Sequence, residues 1–273
     1  MEKSVLWKVF FLLFLSLSPC LSQDINFDEQ AFFENLKTSY YTLEQSKLNN
    51  VVSLVTSTKI ERFAENNWQN AEIFPLQMIW VKPNSIYLSE QGVPPLRDEN
   101  QISYHQSVDA LKEQFKTILL DLQRFYINGI YASIGNDYTL IQDENTVRVS
   151  FSMNQVGGLI DYEYTFGING LCLKIETYYH YDNNKVTTYP KFRIVKTKWI
   201  CEGWEVQVSN QDQIRNGHLV LLKNRVVQDI FVPIEISIEA QKNTGEKFTE
   251  IIKIKNYLFN QPLRLLNDVK GDR

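Results

Sequence analysis

Hydrophobic and polar positions follow two periods along this chain, and the switch between them marks out its elements. Phe32, Leu36, Tyr40 and Leu43 recur at helical spacing. They predict an amphipathic helix opened by Asn26-Phe27-Asp28-Glu29, with Asn26 as cap and Glu29 reaching back, and closed by Asn49-Asn50. From Val51 to Phe63 the period falls to two. Val52, Leu54, Thr56, Thr58 and Ile60 share one face of a predicted strand, and Ser53, Ser57, Lys59 and Glu61 share the other. Strands over Leu76–Lys82 and Ser85–Glu90 come next, joined by a Pro83-Asn84 turn. Val108, Leu111, Phe115, Ile118, Leu119 and Leu122 then form a broad apolar stripe, which predicts a second helix from about Ser107 to Phe125.

After Gly129 the pattern is almost purely that of strands. They are expected at Tyr138–Gln142, Thr146–Met153, Leu159–Phe166, Leu171–Tyr181, Lys185–Glu202 in one or two pieces, Trp204–Ser209, Leu219–Lys223, Ile230–Ala240 and Glu246–Phe259. Short links such as Gly157-Gly158, Asp182-Asn183-Asn184 and Asn243-Thr244-Gly245 join antiparallel neighbours and leave no room for crossover helices. Ile160, Tyr162, Tyr164 and Phe166 alternate on one face, as do Leu171, Leu173, Ile175, Tyr179 and Tyr181. One apolar face per strand is the mark of an antiparallel sheet covered on one side. About ten such strands exceed what a flat sheet carries, so curling is expected. The predicted fold class is α+β: a strongly curved antiparallel β-sheet, a half-barrel, with helices across its concave face.

The first 22 residues stand outside this pattern. Lys3 and Lys8 precede an apolar run from Val9 to Leu17, and Pro19-Cys20-Leu21-Ser22 closes the segment. That is the layout of a secretory signal, and its clean apolar part is shorter than the roughly 18 residues of a membrane span. Cleavage near Ser22 then releases a soluble protein, most simply into a bacterial periplasm. The alternative is lipid anchoring at Cys20, against which Pro19 is a poor lipobox residue. The expected organisation is a signal peptide over 1–22, one domain over 23–260 and a loosely held tail over 261–273. No Asn-x-Ser/Thr acceptor occurs, which favours a bacterial exporter over a eukaryotic secretory one.

Charge removes one class of partner. The whole chain carries a net charge of −4 and no Lys/Arg run, so nucleic acid is not expected. Loss of residues 1–22 leaves two cysteines, Cys172 and Cys201, which in an oxidising compartment form a candidate disulfide if they lie on neighbouring strands. No CxxC and no clustered His/Cys set is present, so neither a metal nor a cofactor is implied.

The order of elements resembles a known superfamily. An amphipathic helix leads into a long strand, and Met78-Ile79-Trp80-Val81-Lys82-Pro83-Asn84-Ser85-Ile86-Tyr87-Leu88 forms a strand pair around a proline turn. A second helix precedes a run of antiparallel strands, and Phe231-Val232-Pro233-Ile234-Glu235-Ile236 through Ile254-Lys255-Asn256-Tyr257-Leu258-Phe259-Asn260 makes a closing strand pair. This resembles the periplasmic lipoprotein carriers (LolA/LolB-like). The resemblance implies an open half-barrel lidded by helices, with a hydrophobic cavity for acyl chains. It implies a non-enzymatic carrier of an acyl chain or lipoprotein, for which peripheral contact with a membrane is natural. Gly129–Asp143 and Tyr189–Gly203 have no counterpart in that pattern.

Candidate chemistry is sparse. His105, His180 and His218 stand apart from other ligand-type residues, and there is no Gly-x-Ser-x-Gly and no phosphate loop. His180, within Tyr178-Tyr179-His180-Tyr181-Asp182, is either a site residue or an outward-facing one beside a turn. Asp161, Glu163 and Glu176 alternate with apolar residues and serve to keep an outer face soluble. Trp199 and Trp204 are expected to pack at a bulge. Met78, Trp80, Phe115, Tyr164 and Phe166 would line a lipid cavity, or else fill an ordinary core. The two expectations are therefore a carrier of a hydrophobic group and an envelope interaction protein with a filled core and no ligand.

Overall fold

The computed structural model describes residues 27–83, 85–155, 158–210, 213–241 and 247–262. The expected signal segment, with Cys20 and Ser22, and the end of the expected tail lie outside the described residues.

The first helix, α1 (Glu29–Ser39), is capped by Asp28 rather than Asn26, and the Asp28 carboxylate accepts from the Ala31 amide at 2.9 Å. It ends before Tyr40, which leaves the helix to bridge Trp199. Strand β1 (Asn50–Ser57) stops earlier than its alternation predicts. Ser57 becomes the N-cap of a second helix, α2 (Thr58–Trp68), whose Ile60 and Ala64 are buried one turn apart. Strands β2 (Leu76–Val81) and β3 (Ser85–Glu90) form the expected pair. The long helix α3 (Asp98–Leu122) begins nine residues before its apolar stripe predicts. It runs into a wider turn, Gln123–Ile127, closed by an Asn128 amide to Gln123 carbonyl bond of 2.9 Å.

The remaining strands are β4 (Tyr138–Gln142), β5 (Thr146–Gln155), β6 (Gly158–Gly167), β7 (Cys172–Tyr179), β8 (Asn184–Val195), β9 (Lys198–Asn210), β10 (Gln213–Val227), β11 (Ile230–Gln241) and β12 (Lys247–Phe259). All twelve strands join one sheet in the order β3-β2-β1-β12-β11-β10-β9-β8-β7-β6-β5-β4. From β5 to β12 each strand pairs with its predecessor in sequence. β1 instead sits between β2 and β12. It is buried on both faces, with Val51, Ser53 and Val55 on one side and Val52 and Thr56 on the other.

This corrects the expected fold class. The protein is mostly antiparallel β, with three helices among the described residues, and its sheet is flat or gently curved. It is not an α+β half-barrel with helices across a concave face. Strand number was the ground for expecting a curl, but the edge strands β3 and β4 stay apart in the strand order and the sheet remains open. Twelve strands fit an open sheet when their length and a covering of helices supply the buried area. One core cluster runs from α1 and α3 to nearly every strand, including Phe32, Tyr104, Phe115, Trp204 and Ile254.

Two bulges shift the period-two reading. Between β6 and β7 the register steps from Thr165–Lys174 to Phe166–Cys172, passing over Leu173. Cys172 is therefore buried while Leu173 is 42% exposed, the reverse of the phase expected from Leu171, Leu173 and Ile175. Between β8 and β9 the register steps from Lys191–Gly203 to Phe192–Cys201, which buries Cys201. Both cysteines are free thiols. Strand β8 lies between theirs, so they stand about 9–10 Å apart at two strand spacings, beyond the roughly 7 Å Cα separation that a disulfide spans. The expected pairing of neighbouring strands does not occur.

Candidate functional site

The residues expected to line an acyl cavity are all buried, with those of β2 and those of β6 standing eight places apart in the strand order. Met78 and Trp80 of β2, Phe115 of α3, and Tyr164 and Phe166 of β6 are 5%, 1%, 0%, 0% and 0% exposed and belong to one core. The space around the β6 pair is occupied by other side chains of the chain. Phe32 of α1 meets the Phe166 ring edge-on at 5.7 Å, and Phe151 lies 5.4 Å from the Tyr164 ring. At the far end Phe125 sits 5.6 Å from Trp204, and Trp199 packs partly buried beside the core. Polar groups are trapped there too: the Trp80 and Trp204 indole N–H groups and the Tyr126 hydroxyl have no hydrogen-bond partner among the described residues.

The wide turn after α3 brings the most unusual chemistry into this interior. Its residues Arg124, Phe125, Tyr126 and Ile127 are all buried. Arg124 Nη1 lies 3.1 Å from Asp121 Oδ1, with side chains only 6% and 14% exposed. The guanidinium carbon sits 5.6 Å from the centre of the Tyr164 ring, close enough for a cation–π contact. The Tyr164 hydroxyl is within 3.1 Å of Ser133 Oγ. Burial pushes the Tyr164 phenol up to about 12, although the Arg124 charge and the Ser133 bond pull the other way. Burial also raises the Asp121 carboxyl, and the nearby Arg124 offsets only part of that. A five-residue i→i+5 turn is uncommon and recurs at sites under functional or packing constraint. Neither is among the site residues the sequence predicts, and Asp121, whose helical phase sets it facing away from the apolar stripe of α3, is in fact only 14% exposed. The signal was two opposite charges three residues apart inside the run Leu119–Ile127.

The second candidate lies on the opposite, wetter face. A cleft of about 530 Å³ crosses β4 to β8 and includes Asp137, Thr139, Ser150, Asp161, Glu163 and Glu176. Asp161 Oδ1 accepts from Ser152 Oγ at 2.6 Å, and its Oδ2 is 2.7 Å from His180 Nε2. These contacts, Ser152 first, hold the Asp161 carboxyl below the usual range. The order is serine–carboxylate–imidazole. A hydrolytic triad needs the imidazole between the other two, where it can take the serine proton. Here Ser152 donates to a carboxylate and gains no nucleophilic character. Glu163 faces Glu176 across β6 and β7. Burial alone would raise Glu176, but Lys174 and Lys185 outweigh it and hold its carboxyl low. Among the described residues no group of three or more His, Cys, Asp or Glu side chains is placed to hold a metal ion.

Three further clefts are open to solvent. One of about 620 Å³ runs along the free side of β4, one of about 250 Å³ lies under the loop Tyr131–Asn136, and one of about 420 Å³ crosses β9 to β12 around His218. The class that fold and site define is a mostly antiparallel, single-sheet β protein with a packed interior and a polar outer face. No family model, curated protein or solved structure matches the chain closely enough to place it in a family. Among the described residues no helix is long and apolar enough to cross a membrane.

Proposed function

We propose that the protein is an exported, non-enzymatic interaction protein that keeps a filled core and works through its sheet surfaces. The observation that supports this reading is the state of the five cavity candidates. Met78, Trp80, Phe115, Tyr164 and Phe166 are packed against α1, α3 and neighbouring strands. An acyl chain would have to displace aromatic side chains whose contacts resemble a protein interior. The solvent-open clefts are instead bordered by charged and hydroxyl side chains, which suit macromolecular recognition. The Ser152–Asp161–His180 order supports a surface role over hydrolysis.

Native mass spectrometry of the protein after gentle extraction tests both halves of the proposal. The expected spectrum is that of an unmodified chain beginning at Gln23. A stoichiometric lipid adduct released by organic solvent would sink the filled-core reading and restore the acyl carrier. A covalent diacylglyceryl mass on Cys20 would replace soluble export with anchoring.

A further inference from the structure

The sheet has two edges, and they differ in chemistry. β3 ends in Glu90, which is paired with Lys112 of α3, and its Ile86 and Leu88 pack against the core. A charge at an edge is one of the devices by which proteins discourage strand addition. β4 carries none. Tyr138-Thr139-Leu140-Ile141-Gln142 has no charge and no proline, and it pairs with β5 in unbroken register along its whole length. Its other side ends the sheet.

Clefts adjoin that free side on both faces. Tyr138 and Leu140 pack towards the core, and the 250 Å³ cleft beside them is bordered by Phe33, Tyr131 and Ile134. Thr139 and Ile141 point the other way, and the outer cleft begins at Asp137 and Thr139. The 620 Å³ cleft along the edge has Glu29 and Asp137 as its charged lining residues, both acidic. Glu29 is fixed there by the Tyr138 hydroxyl, which donates to its Oε1 at 2.6 Å.

We propose that β4 is an acceptor edge for an extended segment of another protein, a segment in which basic side chains alternate with bulky apolar ones. The inference rests on the interaction role proposed above and names its surface and its partner's chemistry. Main-chain hydrogen bonds along an open edge supply affinity, and side-chain pockets on alternate faces supply specificity. The aromatic cleft receives the apolar residues, and Glu29 and Asp137 receive the basic ones. A second copy of this chain is a poor occupant. Antiparallel β4–β4 pairing centred on Leu140 sets Asp137 opposite Asp143 of the other copy, and like charges directly opposite destabilise a strand pair.

The test uses the full mature chain and two synthetic extended peptides, one alternating Lys and Val and the other Glu and Val, read by amide hydrogen exchange and by titration. The Lys/Val peptide is expected to slow exchange along β4 while β3 is unchanged. The double variant Glu29→Gln with Asp137→Asn should weaken that peptide roughly tenfold, and Gln142→Pro, which removes a main-chain donor on the free side of β4, should abolish it. Equal binding of both peptides, protection at β3 instead of β4, or no loss of affinity in the charge variant overturns the proposal. So does a peptide-free dimer that protects β4. A lipid adduct in the mass spectrum would remove the filled-core reading and leave the peptide result standing, so the two failures are distinguishable.

Discussion

Gly203 shows how much can rest on one hydrogen atom. Its φ of +141° lies in a region that L side chains rarely adopt, and a Cβ there would stand 2.1 Å from the Val220 carbonyl oxygen on β10. Gly203→Ala should destabilise the protein by at least about 3 kcal/mol, since strain and clash add; urea unfolding monitored by tryptophan fluorescence measures it. The buried thiols make a second prediction. Burial raises Cys172 from 9.0 to about 12 and raises Cys201 further, and burial raises Tyr164 from 10.0 to about 12. Unfolded, these groups lose their protons near their ordinary values; folded, they keep them until about 12 or beyond. Across that alkaline window the native state binds more protons, so stability must fall as pH rises. The urea midpoint should be lower at pH 11 than at pH 8, and an alkylating reagent should label both cysteines only after unfolding. Rapid labelling of the native protein at pH 8 would contradict the burial of these thiols.

Among elements, the end of α3 is where packing and charge meet. Arg124 and Asp121 are embedded beside Tyr164 with little access to water. Removing one partner strands the other: Arg124→Ala should cost about 3–5 kcal/mol. The double variant Arg124→Met with Asp121→Leu should recover most of that loss, because an apolar pair of similar volume needs no desolvated charge. A double-mutant cycle by urea unfolding reads the difference, and strictly additive losses would refute the coupling. The same element shows the reach and the limits of sequence reading. The apolar stripe Val108–Leu122 was legible because it obeys one period, whereas the first turns of α3, from Asp98, carry few apolar residues and were not. α2 was hidden because Ser57 through Ile60 satisfies strand alternation and helix capping alike. The bulges at Leu173 and Glu202 were invisible, since one extra residue in a strand carries no compositional mark yet reverses the phase of every position after it. All five cavity candidates are buried, but periodicity reports only that a face is apolar. Whether it meets a ligand or another side chain depends on contacts between distant elements.

At the scale of the molecule, the single core ties all three helices to the sheet. Phe115, fully buried in α3, is a sensitive probe of how well that core is filled. Phe115→Ala should cost about 3–5 kcal/mol, lowering the midpoint of one cooperative transition. An unchanged midpoint would mean that the interior gives way easily, as a lipid carrier's must. The curl expected from strand number failed at this scale because nothing local in a strand states whether the two edges of its sheet will meet.

The seat of β1 between β2 and β12 has a consequence for how the molecule is made. β1, the earliest of the described strands to be synthesised, is completed by β12, the latest of them. Until residues up to Phe259 have emerged, the segment containing β1 to β3 has no neighbour on its β12 side, while β4 to β11 can already zip up pair by pair. Joining ends so distant in sequence is slow, because the entropy of closing the loop must be met before its contacts form. A chain shortened before Lys247 would hold two unconnected pieces of sheet. β12 thus acts as a check on completeness, because the sheet becomes a single body only once the chain has been made as far as Phe259.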